Sequence, residues 1–236
     1  MPMTAFRVLD LFCGSGGATH GYMRQWPDAE FVGVDLDPQP LKRYPGRQVL
    51  ADALDSGLDL ASFDLVHASP PCQEYSKSSN LHSKVYPKLV ADVRDMLDRA
   101  GVSAYVIENV EGPTGLATQP TLDGRFGTML CGTAFGLQVR RHRVFETTWN
   151  IAPGVCHHER LPVVRAESAY WKSDYRDPYR QRCKDEGRPY TSFAAHLRTD
   201  MGLDGLMSTT AACESFPPAY TEWIAQSYDA NHNEAT

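Results

Sequence analysis

The sequence predicts an α/β fold with a doubly wound, mostly parallel sheet and a small irregular insert. Short apolar runs recur at residues 6–12, 31–37, 63–69 and 103–110, and such runs are typical of strands that are buried on both faces. A helical pattern separates the last two runs, and strands that alternate with helices favour a parallel sheet with two covered faces. A glycine-rich loop follows the first run, at the place where ligands dock in such sheets.

The remaining elements follow from local patterns. Residues 86–101 have apolar residues at helical spacing, and Gly101 stands where a C-cap glycine is expected. The run 141–149 is typical of a later strand. A last helix is predicted after Pro217, because proline is favoured in the first turn of a helix. Tyr220, Trp223 and Ile224 would share one side of that helix.

The pattern divides the chain into three parts. Residues 1–149 form the expected catalytic and cofactor-binding domain, and residues 150–206, which show little periodicity, form a small irregular insert. Residues 207–236 are expected to form a closing helix and a tail. The segment 157–200 has nine Lys/Arg against seven Asp/Glu, whereas the whole chain has a net charge of −6. This segment is therefore the better candidate for contact with a polyanion.

The composition is typical of a globular cytosolic protein. The sequence contains no run of about 18 apolar residues, the length that a membrane-spanning helix needs. Its first residues show no signal-peptide pattern, so no membrane partner is expected. The six cysteines include no CxxC motif, which argues for thiols and against a disulfide framework in a reducing compartment.

The glycine loop has Gly14, Gly16 and Gly17, which is neither the dinucleotide GxGxxG spacing nor a phosphate-binding loop with its lysine. A nucleoside ligand such as S-adenosylmethionine fits better than a polyphosphate, although a purely structural turn would also use glycines. Asp35 ends the second strand and could accept hydrogen bonds from ribose, and Asp52 could accept one from an adenine amine.

Cys72 follows a diproline turn in FDLVHASPPCQEYSK, residues 63–77. A disulfide partner, a metal ligand, a nucleophile or a buried structural thiol are all compatible with that position. Cys13 lies within the glycine loop and is interpreted as a packing residue. Cys156, His158 and Cys183 could hold zinc, but their spacing fits no standard zinc pattern, and scattered polar residues are the alternative.

Four motifs resemble the signature blocks of cytosine-5 DNA methyltransferases, in the order of that family: DLFCGSGG, SPPCQEYS, IENV and RRHRVF. They span roughly residues 8–147 and lead us to identify the chain as similar to short phage and bacterial forms with a reduced target-recognition region. The resemblance implies a Rossmann-like class I fold, S-adenosylmethionine as cofactor and double-stranded DNA as partner. It further implies base flipping, a monomer, a role in restriction-modification, and the cytoplasm of a bacterial or phage-infected cell.

The same resemblance assigns roles residue by residue. Cys72 matches the nucleophile, Glu108 the acid that contacts the base, and Arg141 and Arg143 the arginine pair of the later strand. The cofactor contacts would be Asp10, Phe12, Gly14, Gly16, Gly17, Asp35, Leu36, Asp52 and Pro71. The substrate contacts would be Gln73, Ser76, Lys77 and Asn109, and residues 76–86 would form the loop that closes over the base.

The chain departs from the family pattern at three places, of which the first is the small and only slightly basic interval of about 150–214, where a target-recognition region is usual. The closing helix lacks the usual preceding Gly-Asn pair, and Leu36 stands where an aromatic residue often stacks on adenine. These departures leave several alternatives open. The substrate could be single-stranded DNA or RNA, the transferred group could differ from methyl, and the chain could be a non-catalytic relative that binds cofactor or nucleic acid.

Overall fold

The computed structural model describes residues 5–71, 89–110, 126–157, 164–165, 176–187, 189–190 and 193–233. The predicted residues Cys72, Gln73, Ser76, Lys77 and His158, and the predicted loop 76–86, lie outside them. No helix in the described part of the chain is both long enough and apolar enough to cross a membrane.

A seven-stranded sheet forms the centre of the molecule, in the order β3-β2-β1-β4-β5-β8-β6. Its strands are β1 (Arg7–Leu11), β2 (Glu30–Asp35), β3 (Arg47–Leu50), β4 (Leu65–Ala68), β5 (Tyr105–Asn109), β6 (Phe126–Leu130) and β8 (Arg143–Thr147). The five neighbouring strands β3, β2, β1, β4 and β5 pair in parallel. Strand β8 runs antiparallel to both of its neighbours, β5 and β6. Two short strands, β7 (Val139–Arg140) and β9 (Val164–Arg165), pair separately. The predicted doubly wound, mostly parallel sheet is therefore confirmed.

Helices cover both faces of the sheet. The helices of the described residues are α1 (Gly17–Gln25), α2 (Pro38–Leu41), α3 (Leu89–Arg99), α4 (Arg176–Asp185), α5 (Phe193–Asp200), α6 (Thr209–Glu214) and α7 (Pro218–Asn233). Helix α3 packs on one face of the sheet, and α1 and α7 pack on the other. Gly101 has a φ of +69° just after α3, as a C-cap glycine should. The predicted helix within 86–101 and the predicted start of the last helix are both confirmed within the described residues.

Alternate residues of each strand pack on opposite sides of the sheet, as the two-residue period of a strand requires. Leu9, Val66 and Ile107 belong to one apolar cluster, together with α3. Val8 and Val106 belong to the other, with residues of α1 and α7. Both faces of the central strands β1, β4 and β5 are buried, which explains why these strands read as nearly continuous apolar runs.

Helices α1 and α7 pack closely against each other on one face. A methyl group at Gly21 would lie 2.1 Å from the carbonyl oxygen of Pro218, so only glycine allows this approach. The hydroxyl of Thr221 donates a hydrogen bond to the carbonyl oxygen of Ala18 at 2.7 Å. Tyr220 and Ile224 are buried as predicted, whereas Trp223 is partly exposed and donates to the Ala152 carbonyl oxygen.

The predicted irregular insert contains two helices, α4 and α5, that the sequence pattern did not indicate. Helix α4 is strongly polar, and in its described part only Cys183 is buried, so it carries little apolar periodicity. A third apolar cluster joins Cys183 and Leu197 to Met207 and Cys213. This small core includes residues on both sides of the boundary expected after residue 206.

Candidate active site

The carboxyl ends of β1, β2, β4 and β5 meet at one edge of the sheet, as they must in a parallel arrangement. Strand β8 is antiparallel, so it brings its first residue to that same edge. Asn109 pairs with Val144, and Glu108 pairs with Phe145. Arg143 therefore lies beside the end of β5, next to Glu108. The glycine loop and the later arginine motif, more than 120 residues apart in sequence, converge here.

A cavity of about 770 Å³ opens at this edge, within the usual size range of ligand pockets. Ten of the residues that the sequence singled out line it: Asp10, Phe12, Gly14, Gly17, Asp35, Leu36, Asp52, Pro71, Glu108 and Arg143. Gly16, Asn109 and Arg141 do not line it. The structure thus brings the expected cofactor loop, the diproline turn and the acid-arginine pair together around one space.

The glycine loop is held by Asp35. Its carboxylate accepts hydrogen bonds from the backbone N–H groups of Gly14 and Asp37, both at 2.8 Å. Phe12 has a φ of +59°, an uncommon conformation for a bulky residue and one that often marks a functional site. Leu36 is 66% exposed and lines the cavity, so it offers an apolar surface where an aromatic residue is common.

Two glycines of the loop have packing roles. A methyl group at Gly16 would lie 2.5 Å from Cδ of Pro45, and one at Gly17 would lie 1.9 Å from Oγ of Ser215. Both positions therefore require glycine for close approach. Gly16, expected to contact cofactor, is placed against Pro45 and outside the cavity wall.

Asp10 presents a buried carboxylate to the cavity. One of its oxygens accepts a hydrogen bond from the Thr19 hydroxyl at 2.7 Å, while Oδ1 is buried and has no hydrogen-bond partner within the described structure. Burial raises the pKa of Asp10 from 3.8 to about 7, and the nearby Asp35 adds to the rise, which the Thr19 hydrogen bond partly offsets. A buried acceptor that lacks a donor is a natural partner for a ligand cation.

The described wall of the cavity is strongly acidic. Six carboxylate residues line it: Asp10, Asp35, Asp37, Asp52, Glu108 and Glu214. Among the described residues, Arg143 is the only basic residue of this wall. Such a field favours a cationic ligand and disfavours a polyphosphate. The residues therefore fit S-adenosylmethionine, which carries a sulfonium and an ammonium group.

Glu108 and Arg143 form a buried ion pair. Their atoms Oε1 and Nε lie 2.9 Å apart, and both residues are 7% exposed. Burial raises the pKa of Glu108, and the charges of Arg143 and Arg141 and a hydrogen bond from Ser69 counteract part of that rise. Glu108 can therefore hold a proton more readily than an exposed glutamate.

A chain of buried polar groups supports Glu108 from behind. Tyr22 Oη lies 2.9 Å from Nδ1 of His67, whose Nε2 lies 2.9 Å from Oγ of Ser69. Burial lowers the pKa of His67 to about 3, so the ring is neutral and carries one N–H. One direction satisfies every partner: Tyr22 donates to His67, His67 donates to Ser69, and Ser69 donates to Glu108. The sequence analysis assigned no role to Tyr22, His67 or Ser69, although Ser69 begins the motif SPPCQEYS and His67 is conspicuous as a polar residue within an apolar strand.

Asn109 and Arg141 hold backbone at the edges of the site. The Asn109 amide donates a hydrogen bond to the carbonyl oxygen of Pro70 at 3.0 Å, which fixes the diproline turn. We expected Asn109 to contact substrate; its side chain is instead buried against this turn. Arg141 donates to the Cys213 carbonyl oxygen at 3.1 Å and so joins the start of β8 to α6.

One wall of the cavity comes from the C-terminal third of the chain, which the motifs did not predict. It includes Met207, Ala211 and Glu214 from α6 and its approach, followed by Ser215 and Phe216. The side chain of Ser208 caps α6 by accepting a hydrogen bond from the Ala211 N–H. Short helices of this kind carry too little periodicity to be found in a sequence.

Of the zinc ligands expected from the sequence, His158 lies outside the described residues, and Cys156 and Cys183 belong to different groups. Cys156 lies in a group with Cys131 and His142, whose ligand atoms are within 4.8 Å of one another. Cys183 is buried in the small third core, with its Sγ 3.7 Å from Nε2 of His196. Strand pairing, which sequence spacing does not reveal, decides this grouping.

Comparison with known proteins agrees with the geometry. A family model described as C-5 cytosine-specific DNA methylase matches residues 6–124, which is half of the chain. No curated protein matches the sequence.

The chain also matches solved structures, at low sequence identity. The methyltransferase EhMeth of Entamoeba histolytica is 15% identical, with a TM-score of 0.58 over 97% of this chain and 99% of that one. The protein PKMT2 from Rickettsia typhi, in complex with AdoHcy, is 15% identical, with a TM-score of 0.33 over 44% of this chain and 20% of that one. The first of these shows the same fold along nearly the whole chain.

The C-5 methylase family uses S-adenosylmethionine, which agrees with the acidic cavity and its glycine loop. The matched segment contains the glycine loop, the diproline turn and Glu108, and Arg143 completes the same cavity. This chain therefore belongs to the C-5 cytosine-specific DNA methylase family.

Proposed function

We propose that the protein methylates C5 of a cytosine that is flipped out of double-stranded DNA, acting as a monomer with Cys72 as the nucleophile. The observation that carries the proposal is the buried pair of Glu108 and Arg143 in the same cavity as the glycine loop. Cys72 follows Pro71 directly in the sequence, and Pro71 lines that cavity.

The chemistry needs a nucleophile because C5 of cytosine does not accept a methyl group unaided. Addition of the Cys72 thiolate to C6 places electron density on C5 and makes that carbon nucleophilic. S-adenosylmethionine supplies the electrophilic methyl group when it is bound. Loss of the C5 proton to a base and expulsion of the thiolate from C6 then restore the aromatic ring and the enzyme.

Glu108 is suited to act on N3 of the same ring. Its buried carboxyl group has a raised pKa, so it can keep a proton and share it with N3. Protonation of N3 withdraws electrons from the ring and makes C6 more susceptible to attack. The hydrogen bond from Ser69 and the ion pair with Arg143 fix the orientation of the carboxyl group.

Arg143 provides positive charge at the base site. A guanidinium group in this cavity favours the thiolate form of a neighbouring cysteine and stabilises negative charge that develops on the carbonyl oxygen of the base. Arg141 acts through structure, since it joins the start of β8 to α6.

The cofactor half of the cavity would hold the ligand through several acids. The unpartnered Oδ1 of Asp10 suits the ammonium group of the methionine part. Asp35 suits the ribose hydroxyls and Asp52 the adenine amine, beside the apolar surface of Leu36.

The polymer is expected to bind outside the acidic cavity. Phosphates are repelled by the six carboxylates of its wall, so only the neutral base can enter, which requires base flipping. The segment 157–200 carries an excess of positive charge and is the part of the chain that suits the DNA backbone.

The proposal is tested with labelled S-adenosylmethionine and DNA that contains 5-fluorocytosine. Fluorine at C5 cannot leave as a cation, so the adduct between Cys72 and C6 is trapped. We expect a covalent protein–DNA complex for the wild type and none for Cys72→Ala. Glu108→Gln should form the complex much more slowly.

Cys183→Ala is the matched control, because Cys183 lies in the third core, away from the cavity wall. It should keep the adduct. If the wild type forms no adduct and labels neither DNA nor RNA, the chain is not a cytosine-5 methyltransferase. Labelling of RNA alone would show that the chemistry is right and the polymer is wrong.

A further inference from the structure

Two thiols and one imidazole meet next to the start of β8. The ligand atoms of Cys131, His142 and Cys156 all lie within 4.8 Å of one another. Cys131 is fully buried, and the other two are partly buried. Each comes from a different segment. Cys131 directly follows β6, His142 directly precedes β8, and Cys156 lies beyond the end of β8.

Strand pairing places the first two opposite each other. Strands β6 and β8 are antiparallel, and Leu130 pairs with Arg143 at their ends. One step further along the ladder, Cys131 faces His142. Residues directly opposite in such a pair have Cβ atoms about 5 Å apart, so a ligand can bridge their side chains.

Backbone contacts bring Cys156 to the same point. The Thr128 hydroxyl donates a hydrogen bond to the carbonyl oxygen of Ile151 at 3.1 Å, and the N–H of His157 donates to the Thr133 hydroxyl at 3.3 Å. A methyl group at Gly154 would lie 2.5 Å from Cβ of Ala134, so glycine allows the close approach. The segment 151–157 is therefore anchored along β6 and the turn after it.

We propose that Cys131, His142 and Cys156 bind one Zn²⁺ ion. Two sulfur ligands and one imidazole form a donor set that zinc prefers. Bond lengths of about 2.3 Å to sulfur and about 2.0 Å to nitrogen, with tetrahedral angles, put sulfur and nitrogen about 3.6 Å apart. The Sγ of Cys156 and Nε2 of His142 are 3.8 Å apart, so small side-chain movements complete the geometry.

Binding converts both thiols into thiolates and releases their two protons to solvent. A water molecule fills the fourth position of the tetrahedron. None of the three ligands lines the cavity of the active site, so this zinc ion would take no direct part in methyl transfer.

The ion would fix the chain where the arginine motif begins. His142 lies between Arg141 and Arg143 in sequence, and its carbonyl oxygen accepts a hydrogen bond from Arg143 at 2.7 Å. A metal bound to His142 therefore limits the movement of the backbone that carries Arg143. This consequence rests on the proposed function, whereas metal binding itself does not.

The test measures zinc in the full-length protein by mass spectrometry after incubation with Zn²⁺ and removal of the excess. The wild type should retain one equivalent, and Cys156→Ser and His142→Gln should each lose most of it. Cys183→Ser is the matched control and should retain the full equivalent, because Cys183 is outside the group. Loading with Co²⁺ should give the thiolate charge-transfer bands and visible absorption of a tetrahedral site in the wild type and the control alone.

Cys156 is only partly buried, so its replacement by serine should not prevent folding, and circular dichroism verifies this. The proposal is overturned if the wild type retains well under one equivalent, or if Cys156→Ser retains as much as the wild type. A disulfide between Cys131 and Cys156 in the freshly purified protein, with no metal, would overturn it as well. None of these results depends on methyl transfer, so a failed zinc site and a failed methyltransferase are distinguishable.

Discussion

Replacing Asp10 with asparagine should change the stability of the protein in a way that depends on pH. The stability of the variant minus that of the wild type should be larger at neutral and basic pH than at acidic pH. The carboxyl group of Asp10 is 1% exposed, and its pKa rises from 3.8 to about 7 because burial disfavours the charged form. Between these two pH values the folded state binds a proton that the unfolded state releases. The free energy of unfolding therefore falls as the pH rises from about 4 to about 7.

The size of the effect follows from the width of that window. The two pKa values differ by about 3 pH units, and each pH unit corresponds to about 1.4 kcal/mol. Ionisation of Asp10 should therefore cost about 4 kcal/mol of stability above pH 7, and nothing below pH 4. Asparagine has nearly the same shape and can still accept from Thr19, and its own cost does not depend on pH.

Urea unfolding of the cofactor-free protein at several pH values between 4 and 8 measures this difference. The stability of Asp10→Asn minus that of the wild type should increase by about 4 kcal/mol across the range. Subtraction removes other titrating groups, such as the buried His67. Asp28→Asn, in an exposed turn, is the control and should show no such trend. A difference for Asp10→Asn that stays constant with pH would refute the reasoning.

Three further substitutions test the surroundings of the site. Ser69→Ala removes a hydrogen bond that lowers the pKa of Glu108, so the pH above which methyl transfer declines should move upward, as a pH–rate profile would show. Asn109→Ala leaves the buried carbonyl oxygen of the diproline turn without its donor, which should cost about 1–3 kcal/mol in urea unfolding and slow adduct formation; unchanged values would contradict the anchoring role. Arg94→Gln leaves the buried carboxylate of Glu146 without its two-bond partner, and the expected loss is about 3–5 kcal/mol, with Arg94→Lys intermediate.

The sequence predicted those parts of the fold that depend on local pattern. The strands around Leu9, Val66 and Ile107 are largely apolar because helices cover both faces of the sheet there, and this makes them easy to recognise. The diproline turn and Glu108 were recognisable for a related reason, since polar residues that directly follow a buried strand stand out. The cavity that unites them was implied by the rule that ligands bind at the carboxyl ends of parallel strands.

Other parts of the site depend on contacts between distant segments and have no local signature. His67 supports Glu108 only because Tyr22 of α1 packs over β4. Cys131 meets His142 only because the register of β6 and β8 places them opposite each other. The expected zinc set of Cys156, His158 and Cys183 stays a prediction, because His158 lies outside the described residues, whereas Cys156 belongs to the group with Cys131 and His142 as well.

The close packing of α1 against α7 also determines when the molecule can be assembled during translation. The ribosome makes α1 about 200 residues before α7, so the glycine face at Gly21 lacks its covering helix until those residues have been added. The wall formed by Ser215 and Phe216 arrives equally late. A nascent chain can therefore form the start of the sheet early, but it completes both the second apolar layer and the ligand cavity only after α7 has been made.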